Sequence, residues 1–172
     1  RPTVKIDSKR DKKIMPVFIN DDHKDHFINI ELLKTRGESI LLILEHENHE
    51  LSVLLSDDKN IRTLNKQYRG IDQTTDVLSF SQSKKEETEP SSHLIGDVVI
   101  STVTAKRQAS EHGLTLEEEI VLLLIHGTLH LLGFDHERSG EEAYQMKKKT
   151  QELFSRIFPN KKPHESCSLY SY

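Results

Sequence analysis

This chain of 172 residues has no tryptophan and a single cysteine, Cys167. A lone cysteine rules out a disulfide within the chain, and the setting this favours is the reducing cytoplasm. Cys167 stands in a polar C-terminal stretch, which marks it as incidental rather than reactive. No apolar run approaches the roughly eighteen residues that a membrane-crossing helix needs, and the N-terminus lacks a signal-peptide pattern, so no membrane partner is expected. Charge of one sign is also missing: the net charge of −4 gives the chain as a whole no nucleic-acid signature. Aromatic residues make up only 6%, and no RNA-recognition motif is present. Apolar residues at 34% and charged residues at 30% are compatible with a folded chain, and the length fits one domain around one core.

Charge is unevenly placed. Residues 1–15 carry Arg1, Lys5, Lys9, Arg10, Lys12 and Lys13 against Asp7 and Asp11, a net charge of +4 that leaves −8 for the remainder. Because Met15 directly precedes the first strand-like run, residues 1–14 read as a flexible leader or extension and carry no functional weight. Residues 15–158 then form a single domain, and 159–172 a polar tail without periodicity.

Within the domain, strands alternate with helices. Strand-like runs are Val17 to Asn20, Glu50 to Ser56, Thr75 to Phe80 and Gly96 to Ser101. A helix is expected from Ile30 to about His46, although Ile40 to Leu44 also reads as strand. A second helix is capped by Asp57 or Asp58, buries Ile61, Leu64 and Tyr68, and ends near Gly70. The polar stretch from Ser81 to His93 is a loop, and a third helix runs from about Thr102 to His112. Thr115-Leu116-Glu117-Glu118 is a capping-box sequence opening a helix that is apolar nearly all round from Ile120 to Leu132, hence buried. Ser139-Gly140-Glu141-Glu142 repeats the capping pattern before a last helix, with Ala143, Met146, Leu153, Phe154 and Ile157 on its core side and Pro159 as its stop.

The chemistry is concentrated in His126-Gly127-Thr128-Leu129-His130-Leu131-Leu132-Gly133-Phe134-Asp135-His136, three histidines spaced by four and then six. Residues four apart share a helix face with β-carbons about 5–6 Å from each other, so two imidazoles can converge on one ion. Gly133 can take the left-handed conformation that ends a helix and turns the chain, which returns His136 to the same point. Three protein ligands leave a fourth position for water, the pattern of catalytic rather than structural zinc. The spacing is that of metzincin peptidases, but Gly127 occupies the place of their general-base glutamate, and Met146 falls inside a helix rather than in a Met-turn. A metallopeptidase therefore stands as an alternative, as does a non-catalytic, zinc-stabilised module.

Three separated blocks, namely the histidine run, Leu64 to Gly70 leading into Thr75 to Phe80, and Gly96 to Ser101, together resemble the bacterial YbeY family over roughly residues 50–158. The resemblance implies an α+β fold with a small mixed β-sheet packed with helices and a central buried helix carrying the metal ligands. It implies one Zn2+ per chain on His126, His130 and His136, with Arg69 and His126 as catalytic residues. It also implies a cytoplasmic endoribonuclease acting on single-stranded RNA in 16S rRNA 3′-end maturation and ribosome quality control. Its partners would be rRNA, the ribosome, ribosomal proteins and assembly factors, with no DNA expected.

Elementary chemistry supports the role of Arg69, since a guanidinium presents a planar fork to the phosphate oxygens on which charge grows during cleavage. A surface arginine stabilising a helix C-terminus is the plain alternative. Zinc lowers the pKa of bound water from 15.7 to about 7, which makes a glutamate base dispensable and offers a reason for Gly127. Attack by water and attack by the ribose 2′-OH both remain open. Asp135 reads either as an acceptor orienting a histidine or as a turn residue bonding nearby amides, and Asp97 is equally ambiguous. Ser79 either meets substrate or satisfies itself within the sheet, while His93 and His112 read as surface residues.

Overall fold

A computed structural model describes residues 16–24, 27–82 and 94–171. Residues 1–14, read from the sequence as a leader or extension, and most of the Ser81 to His93 stretch lie outside the described residues. The elements are β1 (Val17–Asp21), α1 (Ile30–Ile43), β2 (Glu50–Ser56), α2 (Asp58–Arg69), β3 (Val77–Ser81), β4 (Leu94–Ser101), α3 (Thr102–His112), α4 (Leu116–Leu131) and α5 (Gly140–Ile157). The strands form one sheet in the order β1-β2-β4-β3, with β1, β2 and β4 parallel and β3 antiparallel to β4. This is the α+β architecture with a small mixed sheet.

Alternation along the strands gives the sheet two covered faces. Leu51, Val53, Leu55, Val98 and Ile100 are fully buried with α4, whose Ile120 to Ile125 are also inaccessible, together with residues of α1 and α5. The opposite face is smaller: Leu78 and Val99 meet Ile61 of α2, with Leu54, Leu64 and Phe80 at the margin. Tyr68, expected on the buried side of α2, is 62% exposed and meets Phe80 edge-on. Residues 40–43 are helical, because Leu33, Gly37, Ile40 and Leu41 form one buried stripe of α1. That helix ends before His46, where Glu45 takes a positive φ of 60°. The strand expected from Thr75 begins at Val77, whose amide donates to the Asp76 carboxylate at 2.8 Å.

The caps follow sequence chemistry closely. Asp57 caps α2 by accepting from the Asn60 amide, and Thr115 and Glu118 form the full reciprocal capping box of α4. At α5 Ser139 accepts from the Glu142 amide, and no reciprocal bond is formed among the described residues, so only half of that box is present.

A further expectation is corrected. His112 is buried rather than on the surface: its Nδ1 lies 2.7 Å from Oε2 of Glu119, which is wholly inaccessible. Burial raises the Glu119 pKa above the usual carboxylate range, although the hydrogen bond to His112 opposes it. His93 lies outside the described residues. The segment after α5 is polar in composition, yet it packs on the domain, with Cys167 fully buried and Tyr170 nearly so. The His164 amide donates to the His112 carbonyl at 2.9 Å, and Gln151 Nε2 donates to the Tyr170 carbonyl at 2.6 Å. The Cys167 thiol is pushed up to about 11 by burial, which leaves it protonated and unreactive at neutral pH.

Candidate active site

Helix α4 delivers two of the three histidines from a rigid, buried element. It ends in a Schellman arrangement, in which the Phe134 amide donates to the Leu129 carbonyl and the Gly133 amide to the His130 carbonyl, each at 3.0 Å. Gly133 takes φ +94°, a conformation that a side chain would strain. The reversed chain brings His136 back to its partners. Ring centroids lie 4.6 Å apart for His126 and His130, 5.3 Å for His126 and His136, and 5.0 Å for His130 and His136.

One nitrogen from each ring lies within 4.8 Å of the other two, a group that could hold a metal ion. The Nε2 atoms of His126 and His130 are 3.1 Å apart. Two nitrogens bonded to one tetrahedral zinc at about 2.0–2.1 Å would lie about 3.3 Å from each other, so this pair needs little adjustment. The electrostatics also suit a cation. Burial, then His130 and His136, hold the His126 pKa down at about 3, and burial and His136 lower that of His130. A neutral imidazole keeps a lone pair to donate, whereas a protonated one has none.

The three histidines and Arg69 line one cavity of about 510 Å³, with Thr75, Asp76 and Ser79 on the β3 side. Arg69 reaches it as the last residue of α2, and its neighbours explain why it is available. Arg62 and Lys66 both pair with Asp72, at 2.9 and 3.4 Å, while Arg69 makes no ion pair among the described residues. Buried Asn65 fixes the following loop by donating from Nδ2 to the Gln73 carbonyl at 2.9 Å.

Asp135 also lines the cavity, but its carboxylate is engaged. One oxygen accepts from the Glu137 amide at 2.8 Å, and the other pairs with Arg138 at 3.2 Å. The amide bond, ahead of the Arg138 charge, helps hold its pKa below the usual carboxylate value. Ser79 donates to the Gly127 carbonyl at 2.9 Å, tying β3 to the histidine helix. Asp97 lies in β4, paired in register with Ser52 and Phe80, and does not line the cavity.

Gly127 has a packing reason that sequence reading missed. A Cβ there would lie 2.7 Å from Val98 Cγ1 and 3.1 Å from Ser79 Oγ. Helix and sheet approach so closely that a side chain at the position where a metzincin carries its base would have to displace Val98. Sequence reading also missed Asp76 and Leu169 on the cavity wall. The signal for Leu169 was present, as Cys167, Leu169 and Tyr170 are closely spaced apolar groups in a polar stretch.

Fold and site thus define an α+β protein in which three imidazoles converge beside an arginine-lined cleft. Comparison with known proteins makes the assignment specific. The profile of the family Endoribonuclease YbeY matches residues 18–158. The endoribonuclease YbeY of Persephonella marina is 46% identical over 141 residues, covering 82% of this chain and 92% of that protein. That of Aquifex aeolicus is 47% identical over 121 residues, covering 70% and 79%. The solution structure of TM1509 from Thermotoga maritima is 29% identical, with a TM-score of 0.58, covering 83% of this chain and 89% of that one. The chain belongs to the endoribonuclease YbeY family, whose members are hydrolases of RNA phosphodiester bonds.

Proposed function

We propose that this chain is a zinc-dependent endoribonuclease cutting single-stranded RNA, with His126, His130 and His136 holding one Zn2+ and Arg69 binding the scissile phosphate. The observation that carries the reading is the convergence of three ring nitrogens on the wall of the cavity that Arg69 also lines. When bound, zinc supplies Lewis acidity toward phosphate oxygens and lowers the pKa of water. The protein's own contribution is electrostatic and positional. Arg69 donates N–H groups to the non-bridging oxygens as their charge grows, and its planar fork orients the phosphate. His126, neutral and buried, offers one lone pair from the face of α4. Ser79 keeps α4 in register with β3, the strand on the far side of the cleft. The metallopeptidase alternative is disfavoured by Gly127, which supplies no base and whose Cβ position is crowded by Val98.

Action in 16S rRNA 3′-end maturation and ribosome quality control, in the cytoplasm and with ribosomal proteins and assembly factors as partners, belongs to the same proposal. It is supported by family membership and by the absence, among the described residues, of any helix long and apolar enough to cross a membrane.

The test is a pair of substitutions read by metal content and by cleavage of single-stranded RNA. His126→Ala is expected to lose zinc and cleavage together. Arg69→Ala should retain zinc and lose cleavage by about 10²–10³-fold, the usual loss for removing one group that stabilises developing charge. Full activity of chelated, metal-free protein would end the proposal.

A further inference from the structure

Behind the histidine cluster lies a second cavity, of about 240 Å³, that shares His126, His136 and Leu169 with the larger one. Its floor and rim come from Met146 and Lys147 of α5. The rest of its lining is Ala143 of α5 with Ser168 and Leu169, the last two from the segment beyond residue 158 where the family profile ends. That wall is firmly placed, because Cys167 and Tyr170 on either side are buried and Gln151 of α5 holds the Tyr170 carbonyl. The chemistry is mixed: the Met146 thioether and Leu169 are apolar, His136 offers an imidazole ring, and Lys147 brings an ammonium with no ion-pair partner among the described residues.

We infer that this cavity is a nucleobase subsite, taking the base of the nucleotide next to the phosphate in the main cleft, with residues 167–170 as the element that shapes it. The inference rests on the endoribonuclease reading of the main cleft. An unstacked base has an apolar face and a polar edge, and single-stranded RNA is recognised by stacking the face on rings or apolar groups while the edge is hydrogen-bonded. Met146, Leu169 and His136 suit the face. Lys147, a donor only, suits the acceptor atoms that every base presents on its edge, ring nitrogens in adenine, carbonyl oxygens in uracil and both in cytosine and guanine. Contiguity through His126 and His136 puts the slot beside the phosphate site, so one nucleotide can occupy both.

The test uses the zinc-loaded full chain, titrated calorimetrically with uridine 3′-monophosphate, uridine 5′-monophosphate and ribose 5-phosphate. At least one uridine nucleotide is expected to bind about fivefold or more tightly than the sugar phosphate, the scale of a single stacked base. Ser168→Trp fills the slot from an exposed position, so it should bring nucleotide and sugar phosphate to within about twofold while zinc content and ribose 5-phosphate binding stay as they were. Glu165→Trp, exposed in the same segment and lining neither cavity, should keep the discrimination. Equal binding of all three ligands to the unmodified protein, or discrimination retained in Ser168→Trp, overturns the inference. RNA cleavage by the same preparations separates the two readings: base discrimination without cleavage keeps the subsite and removes the endoribonuclease assignment, and cleavage without base discrimination does the reverse.

Discussion

Replacing Gly127 with alanine adds one methyl group where the histidine helix packs tightly against Val98 and Ser79 of the sheet. The new Cβ would meet Val98 Cγ1 at 2.7 Å and Cγ2 at 3.1 Å, with Ser79 Oγ also at 3.1 Å. Forcing an extra methyl into a packed core costs about 1–3 kcal/mol. Against this, alanine in a helix interior is favoured over glycine by about 1 kcal/mol. The net expectation is a loss of about 0–2 kcal/mol, or up to about 8 °C in melting temperature for a domain of this size. The functional loss should be larger than the stability loss, because relief of the contact pushes α4 outward and carries His126 and His130 away from His136. Urea denaturation and zinc affinity, measured on Gly127→Ala, Val98→Ala and the double variant, isolate the cause. If the contact is steric, the two substitutions couple favourably, since Val98→Ala removes both clashing methyls. Strict additivity, with zinc affinity unchanged in Gly127→Ala, would refute the packing explanation. Gly127→Glu, which restores the peptidase base in sequence, should yield no peptidase activity and poorer zinc retention.

The remaining expectations concern protons, one hydrogen bond and one thiol. His126 has an ordinary pKa of 6.5 when unfolded and about 3 when folded, so between those values the unfolded chain binds more protons. Metal-free protein should therefore lose stability as pH falls from 6.5 toward 3, by at most about 1.4 kcal/mol per pH unit from this one group, with no contribution above that range. Denaturation curves against pH in chelator check it, and a flat profile in that window refutes it. Ser79→Ala removes the bond to the Gly127 carbonyl and should cost about 0.5–1.5 kcal/mol in denaturant unfolding while leaving the fold intact. Cys167 should resist alkylation at neutral pH in the folded protein and react once denaturant releases the segment. Rapid native labelling would show that the residues after α5 are not docked.

What the sequence makes legible is local periodicity and cap chemistry. The spacing of His126, His130 and His136 around Gly133 is readable because helix geometry and a glycine-ended turn are short-range properties. The Asp57, Thr115 and Ser139 caps are readable for the same reason. Ile40 to Leu44 is ambiguous because a run of five apolar residues satisfies both periods, and the tie is broken by Leu33 and Gly37, which extend the buried stripe backwards. The burial of His112 is not legible because nothing local signals it: the compensating carboxylate, Glu119, belongs to the next helix. Cys167, Leu169 and Tyr170 mark the last segment as more than polar, but so short a signal does not show what buries them, because their partners lie in a core assembled by distant elements. The packing reason for Gly127 is not legible either, since the nearness of Val98 depends on sheet register.

Stability and chemistry are graded across the three imidazoles, which has consequences for how they can be separated. His126 is 9% exposed and stands on a helix whose preceding turns are wholly inaccessible, whereas the His136 side chain is 41% exposed beyond the helix-ending turn. Removing the His126 ring opens a cavity beneath the cleft and disturbs packing as well as the donor set. Removing the His136 ring deletes a donor at the surface, where substitutions seldom shift stability by more than about 0.5 kcal/mol. His136→Ala should therefore unfold in metal-free buffer at the same denaturant concentration as the unmodified chain, yet lose the stabilisation that zinc confers, while His126→Ala should be weaker in both conditions. If instead the two variants unfold alike without metal, the buried helix is not what holds the site, and the rigidity attributed to α4 would have to come from the turn at Gly133.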